Sequence, residues 1–261
     1  KLPDSNTKVE AMFGQFPMTL GYELARSDVD REFPERSIFN DTLFKGQRVR
    51  GLNVAVPVKG GVTVQAGLID SLSTEDPEQL GYAPGGHGRL AFTGAITRKK
   101  TLKKAEGGNT TMEYGLSGLE GKRPIFAGAN AISPEVDRRY GELHVNFQNL
   151  FAPGVDFKAE AMVGKDRVPN ANPASALPAT NMSGFSMILG KKLGEMHRLD
   201  LKWDQFVSDL NATHKTANER GFAYSYGQGN YKLTLSRDYA EDENASIGKY
   251  QVTTIRVQFK F

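Results

Sequence analysis

The feature that most constrains this chain is a two-residue alternation of apolar and polar side chains, clearest at its C-terminus. Over residues 254–261, Ile255, Val257, Phe259 and Phe261 share one parity, and Thr254, Arg256, Gln258 and Lys260 share the other. Successive side chains of a strand point to opposite faces, so this order makes one apolar face and one polar face. A helix would mix the two sets around its axis. The same split recurs in Tyr231–Ser236, in Leu199–Asp204, and where Leu143, Val145 and Phe147 alternate with Glu142, His144 and Asn146. Upstream, Met112, Tyr114 and Leu116 alternate with Thr111, Glu113 and Ser117, and Val62, Val64, Ala66 and Leu68 alternate with Thr63, Gln65 and Gly67.

Such segments predict about 12 antiparallel strands of roughly 8 to 12 residues, the length at which a tilted strand crosses a bilayer. Their expected spans are 7–16, 48–58, 60–70, 87–98, 109–118, 138–149, 154–165, 182–192, 196–206, 219–228, 230–240 and 249–261. Tight turns at 58–61, 150–154, 193–195 and 227–230 are interleaved with long polar stretches near 71–86, 119–137, 166–181 and 207–218. Short turns on one rim and long loops on the other are the habit of outer-membrane barrels. The fold class expected is therefore all-β, a single antiparallel transmembrane β-barrel domain over 1–261. A soluble sandwich or lipocalin-like barrel also alternates. The charges of both signs on the polar parity, and aromatics near strand ends such as Tyr231, Tyr239, Tyr250, Phe259 and Phe261, favour the membrane form.

Composition narrows the chemistry. Mean hydropathy is -0.45 with 24% charged residues, values that an alternating barrel shares with soluble proteins. The absence of cysteine excludes disulfides, thiolate catalysis and Cys-based metal sites. A net charge of +3 is far from the basic balance of nucleic-acid binders, so no nucleic-acid partner is expected. No phosphate-binding glycine loop occurs; Pro84-Gly85-Gly86-His87-Gly88 lacks the Lys and the following helix. The acidic run Glu241-Asp242-Glu243 has no calcium-loop spacing. His87, His144, His197 and His214 stand outside any nucleophile–base motif. No enzyme, cofactor or metal is expected.

Two stretches carry a family resemblance. Gly14-Gln15-Phe16-Pro17-Met18-Thr19-Leu20-Gly21-Tyr22-Glu23, then Phe33-Pro34-Glu35-Arg36-Ser37 and Gly46-Gln47-Arg48-Val49-Arg50-Gly51, resemble a segment of bacterial outer-membrane porins related to the phosphate-selective family. That family's Pro-Phe-Gly is replaced here by Met18-Thr19-Leu20-Gly21. The closing YQVTTIRVQFKF resembles the last strand of outer-membrane proteins, whose terminal Phe, here Phe261, is read by the barrel assembly machinery. The resemblance implies a bacterial outer-membrane location, contact with outer-membrane lipid, a homotrimer and a full barrel of about sixteen strands. It favours missing N-terminal strands over a smaller barrel. It also implies that residues 17–47 fold inward as a constriction loop. The alternative for that segment is an ordinary exterior loop held by its own Arg–Glu pairs.

The function expected is passive diffusion of small hydrophilic solutes and ions, inorganic anions included. A structural barrel anchoring an envelope layer or partner complex is the alternative, and an outer-membrane hydrolase ranks below both. Pore selectivity comes from lining charge. The polar parity supplies Lys8, Arg89, Lys158, Arg198, Lys202, Lys232, Arg256 and Lys260 against Glu10, Glu113, Glu142, Glu160, Asp200 and Asp204. The small basic excess predicts a mild anion preference. The candidate lining and anion-binding residues are Arg26, Arg31 and Arg36 in segment 17–47, with Arg48, Arg50, Arg89, Lys158, Arg198, Lys202 and Arg256. Arg48 and Arg50 share parity with Leu52, Val54 and Val56, so they line a pore only if a bulge near Gly51 turns them inward.

Overall fold

The fold follows from a computed structural model that describes residues 8–27, 30–44, 48–70, 90–103, 108–123, 136–167, 180–211, 216–243 and 248–259. Arg89, Lys260, Phe261, His87 and His214 lie outside the described residues. The twelve expected strands form one antiparallel sheet in which each strand pairs with its neighbour in sequence. They are β1 Glu10–Pro17, β2 Arg48–Val58, β3 Val62–Asp70, β4 Leu90–Lys103, β5 Thr110–Arg123 and β6 Val136–Gln148. The second half comprises β7 Val155–Arg167, β8 Thr180–Leu193, β9 His197–Val207, β10 Thr216–Gln228, β11 Tyr231–Asp242 and β12 Lys249–Phe259.

Several strands outrun their expected ends. β4 runs on to Lys103, β5 to Arg123, and β10 begins at Thr216. The backbone ladder continues through paired residues such as Lys99 and Glu113, where the hydrophobic period has already stopped. Connection lengths alternate as the sequence predicts. At 59–61 the chain reverses on Gly60 and Gly61, both at positive φ (80° and 74°), a backbone that matches the twist of a tight hairpin and is strained for other residues.

The two faces of the sheet are inverted relative to a water-soluble protein. The apolar parity is bare: Phe13 is 90% exposed and Ile255 71%, with Phe92, Leu116, Leu143, Val163 and Leu201 among the many others. The polar parity is covered: Asp204 is 0% exposed and Glu142 1%, and His144, Asn146, Glu160, Lys202 and Asp238 are also buried. The assignment of parity to faces made from sequence holds from β2 to β12 in every strand it names, whereas over Glu10–Phe13 of β1 both parities are exposed.

Segment 18–44 covers the polar face. It contains one element absent from the sequence reading, the short helix α1 Ile38–Leu43. Phe39 and Leu43 stand four apart, on one side of that helix, and both are buried. Ser37 precedes the helix but does not cap it by a side-chain bond. Its hydroxyl donates instead to Glu23 (2.7 Å).

Near the long-loop end, the polar face carries a belt of buried apolar side chains: Ile69, Ala91, Leu119, Tyr140, Met162, Met182 and Phe206, from β3 through β9. Met18, Leu20, Leu24, Phe39, Leu43 and Phe44 pack on this belt with Phe16 and Val49. Room for them is made by glycine. A Cβ on Gly184 would fall 2.5 Å from the Phe39 ring, closer than packed carbons approach. The chain thus has an apolar core, but it lies between its sheet and its own first long loop.

Candidate functional site

The site grows from that packing. Once the belt has seated Leu20 and Leu24, the backbone between them is pressed onto polar groups of β4–β7. Thr19 Oγ1 lies 3.2 Å from Thr93 Oγ1, and the Gly21 N–H donates to Ser117 Oγ (2.8 Å). The Glu160 carboxylate accepts from the N–H groups of Tyr22 and Glu23, and the Tyr22 hydroxyl accepts from Asn146 Nδ2 (2.8 Å). Burial raises the Tyr22 phenol far above the ordinary tyrosine range against the opposing field of Arg26, so it stays neutral. Glu23 turns inward on its own segment and receives Ser37 and Asn40. These bonds satisfy loop backbone that would otherwise be buried without partners.

Further along, charge takes over. Glu32 reaches the ammonium of Lys158 and lies 3.8 Å from Arg198 Nη2. Burial opposes ionisation of Glu32, but Lys158 and Arg198 outweigh it and hold the carboxyl below its ordinary value of 4.5. Arg198 also pairs with Asp156 (2.6 Å) and Asp200 (2.8 Å). Lys202 sits among Asp204 (3.6 Å), Asp238 (3.6 Å) and Glu219, with the Phe33 ring 4.9 Å away. Arg138 approaches Asp166 (3.7 Å) and donates to the Leu43 carbonyl (2.9 Å). At the far side, Lys232 donates to the Arg31 carbonyl (2.7 Å) and Arg256 to the Pro34 carbonyl (3.3 Å). The segment therefore bridges the polar face from β4 to β12.

Between Tyr22–Phe33 and strands β7 and β8 a cleft of about 30 Å³ remains. At roughly 10–15 Å³ of such space per water, it admits two or three waters and no larger solute. The loop lies close against this part of the wall.

The candidates named from sequence divide as follows. Lys158, Arg198, Lys202 and Arg256 lie on the polar face and meet the loop or its neighbours. Arg26 stacks over the Tyr22 ring (3.8 Å) and lies 3.5 Å from Glu113. Arg31 borders the cleft, and Arg36 folds back to donate to the Phe44 carbonyl (3.2 Å). Arg48 and Arg50 do not join this group, which corrects the lining role expected of them. The pairing of β2 with β1 runs through Gly51 without a shift, so no bulge turns them and both stay exposed on the face of Leu52. Arg89 lies outside the described residues.

Sequence reasoning passed over Asp156, Glu219, Asp238 and Arg138. Asp238 was within reach, since it continues the parity of Lys232, Thr234 and Ser236. Asp156 belongs to the parity of Lys158, but it lies where a turn gives way to a strand. Neither described histidine hydrogen-bonds a serine or carboxylate: His144 tilts against Tyr22 (ring centroids 5.7 Å apart) and His197 Nδ1 meets the Tyr224 hydroxyl (2.6 Å). Among the described residues no group of His, Asp and Glu is placed to hold a metal.

No family model matches this sequence, and no curated protein matches it. The fold does have a counterpart among solved structures. It is similar to an anion-selective porin from Comamonas acidovorans, with a TM-score of 0.52 at 11% identity, over 82% of this chain and 57% of that one. This chain thus spans little more than half the length of that porin. The likeness is one of fold, and it identifies the twelve-stranded sheet as the wall of a porin-like β-barrel.

Proposed function

We propose that the chain lines a water-filled channel of a bacterial outer membrane, passing small hydrophilic solutes and ions. The observation that carries this reading is the inverted burial of the sheet. Exposed apolar surface costs about 25 cal/mol per Å² in water, so twelve strands of bare Leu, Val, Ile and Phe require lipid around them. The opposite face, lined with Lys, Arg, Asp and Glu, requires water or partners. Only a barrel wall between lipid and an aqueous lumen meets both demands. Segment 18–44 then lies inside the lumen and narrows it.

The anion preference is weak in this proposal. Lys158, Arg198 and Lys202 each stand beside carboxylates, so no unbroken basic ladder runs along the described wall. The preference rests on the small basic excess of that face, to which Lys232 and Arg256 contribute where they donate to carbonyls of the loop. The anion-selective character of the similar porin agrees in sign.

Planar-bilayer recording tests both parts. Stable ohmic steps are expected, with a zero-current potential under a salt gradient that reports modest anion selectivity. A folded, inserted barrel with no conductance overturns the channel reading and leaves an envelope anchor. A cation-selective potential overturns the charge assignment alone.

A further inference from the structure

On the apolar face, hydrophobic character stops abruptly across β9–β12. One cross-strand row is Leu199, Tyr224, Leu235 and Ile255. Two rows nearer the long-loop end, the paired residues are Trp203, Arg220, Tyr239 and Gln251, and the row beyond is Gln205, Asn218, Glu241 and Lys249. At about 3.4 Å per residue, the surface passes from apolar to wholly polar within some 20 Å along the strands. These two rows line a depression of about 480 Å³. Gln205 and Asn218 bond each other (3.0 Å), Lys249 pairs with Glu241 (2.9 Å), and Arg237 from the row below reaches Gln251 (2.5 Å). Arg220 is exposed between Trp203 and Tyr239, and makes no ion pair or hydrogen bond among the described residues.

We infer that this depression is a binding site for a phosphorylated saccharide, the headgroup of a glycolipid in the leaflet at the long-loop rim. The chemistry is specific in three respects. Aromatic faces such as Trp203 and Tyr239 offer the flat apolar platforms that sugar rings stack on. The amides of Gln205, Asn218 and Gln251 supply donors and acceptors for hydroxyls. Arg220 presents a planar fork that grips phosphate through paired bonds. The height is right as well: long loops of outer-membrane barrels face outward, and the site sits where the apolar band ends and headgroups begin. A second copy of this chain would need an apolar contact of comparable size, which these two rows do not offer. The inference rests on the outer-membrane reading proposed above.

The test uses the full chain refolded in detergent, with folding read from its gel mobility before and after heating. Native mass spectrometry then measures retention of diphosphoryl lipid A, its dephosphorylated form and phosphatidylglycerol. The expected result is retention of diphosphoryl lipid A at least about tenfold above both others. Arg220→Gln should abolish that advantage, while Arg139→Gln, at a rim arginine already paired with Glu120 (2.8 Å), should preserve it. Equal retention of phosphatidylglycerol or of the dephosphorylated form overturns the site. So does displacement by millimolar inorganic phosphate, or an Arg220→Gln variant that changes oligomeric state and not lipid retention. Conductance of the same preparation separates the two proposals. A conducting chain without lipid preference loses the site and keeps the channel. A folded, non-conducting chain that prefers the lipid keeps the site and loses the channel.

Discussion

The two ends of segment 18–44 and its middle are held to the sheet by different physics. Met18–Leu24 and Ile38–Phe44 are anchored chiefly by apolar contact, with Leu20, Leu24 and Phe39 fully buried against the belt from Ile69 to Phe206, and by the polar bonds of Thr19–Glu23 beside it. Arg31–Pro34 is held by charge and by hydrogen bonds, through Glu32, Lys158, Arg198, Lys232 and Arg256. Apolar packing is insensitive to pH and salt; an ion pair answers to both. The anchors fix where the loop lies, and on the proposed channel reading the arm between them sets the charge that a passing ion would meet.

Variants separate these roles. Phe39→Ala empties the pocket opposite Gly184 and should cost about 3–5 kcal/mol. In calorimetry the main unfolding transition should fall, and in bilayers the single-channel step should enlarge and grow noisy while selectivity stays put. A selectivity change as large as the conductance change would show that anchor and arm are not separable.

Glu32→Gln should rank next, at about 3 kcal/mol, the lower end for breaking a buried pair. Its signature is different: the zero-current potential moves toward stronger anion selectivity, because Lys158 and Arg198 lose a countercharge. An unchanged potential would place Glu32 away from the ion path.

Acid should reproduce part of this effect. Glu32 is held below its ordinary value of 4.5 by Lys158 and Arg198 against the cost of burial. Its contribution is therefore complete above that value and is lost as pH falls through the lowered one. Limited proteolysis should leave segment 18–44 intact from pH 7 down to about 4.5 and open it only below. Cleavage that begins near neutrality would point to another group.

The smallest effect belongs to Arg48→Gln with Arg50→Gln. Both side chains stand on the apolar face, so the double variant should leave the zero-current potential within error of the parent. A clear loss of anion selectivity would return these two arginines to the lumen.

Much of the fold was legible because one face of every strand must differ from the other. That demand writes itself into the sequence as alternation, and Leu143, Val145 and Phe147 against Glu142, His144 and Asn146 is enough to orient β6. Legibility ended where the demand ended. The charged continuation of β4 from Arg98 to Lys103 pairs with β5 by backbone bonds that need no particular side chain. In the loop, the Arg and Glu residues were visible but their partners were not. Lys232 and the Arg31 carbonyl lie about 200 positions apart, and nothing local in either marks the other.

The sequence by itself determined the sheet: its strand number, its two faces, and its alternation of short and long connections. Only the tertiary structure decided that Phe39 would sit opposite Gly184, that Glu32 would answer Lys158 and Arg198, and that Arg220 would stand between Trp203 and Tyr239. The reason is physical. Alternation is a property of each strand separately, whereas a seated loop or a cross-strand row depends on register between segments, which no single stretch of sequence contains.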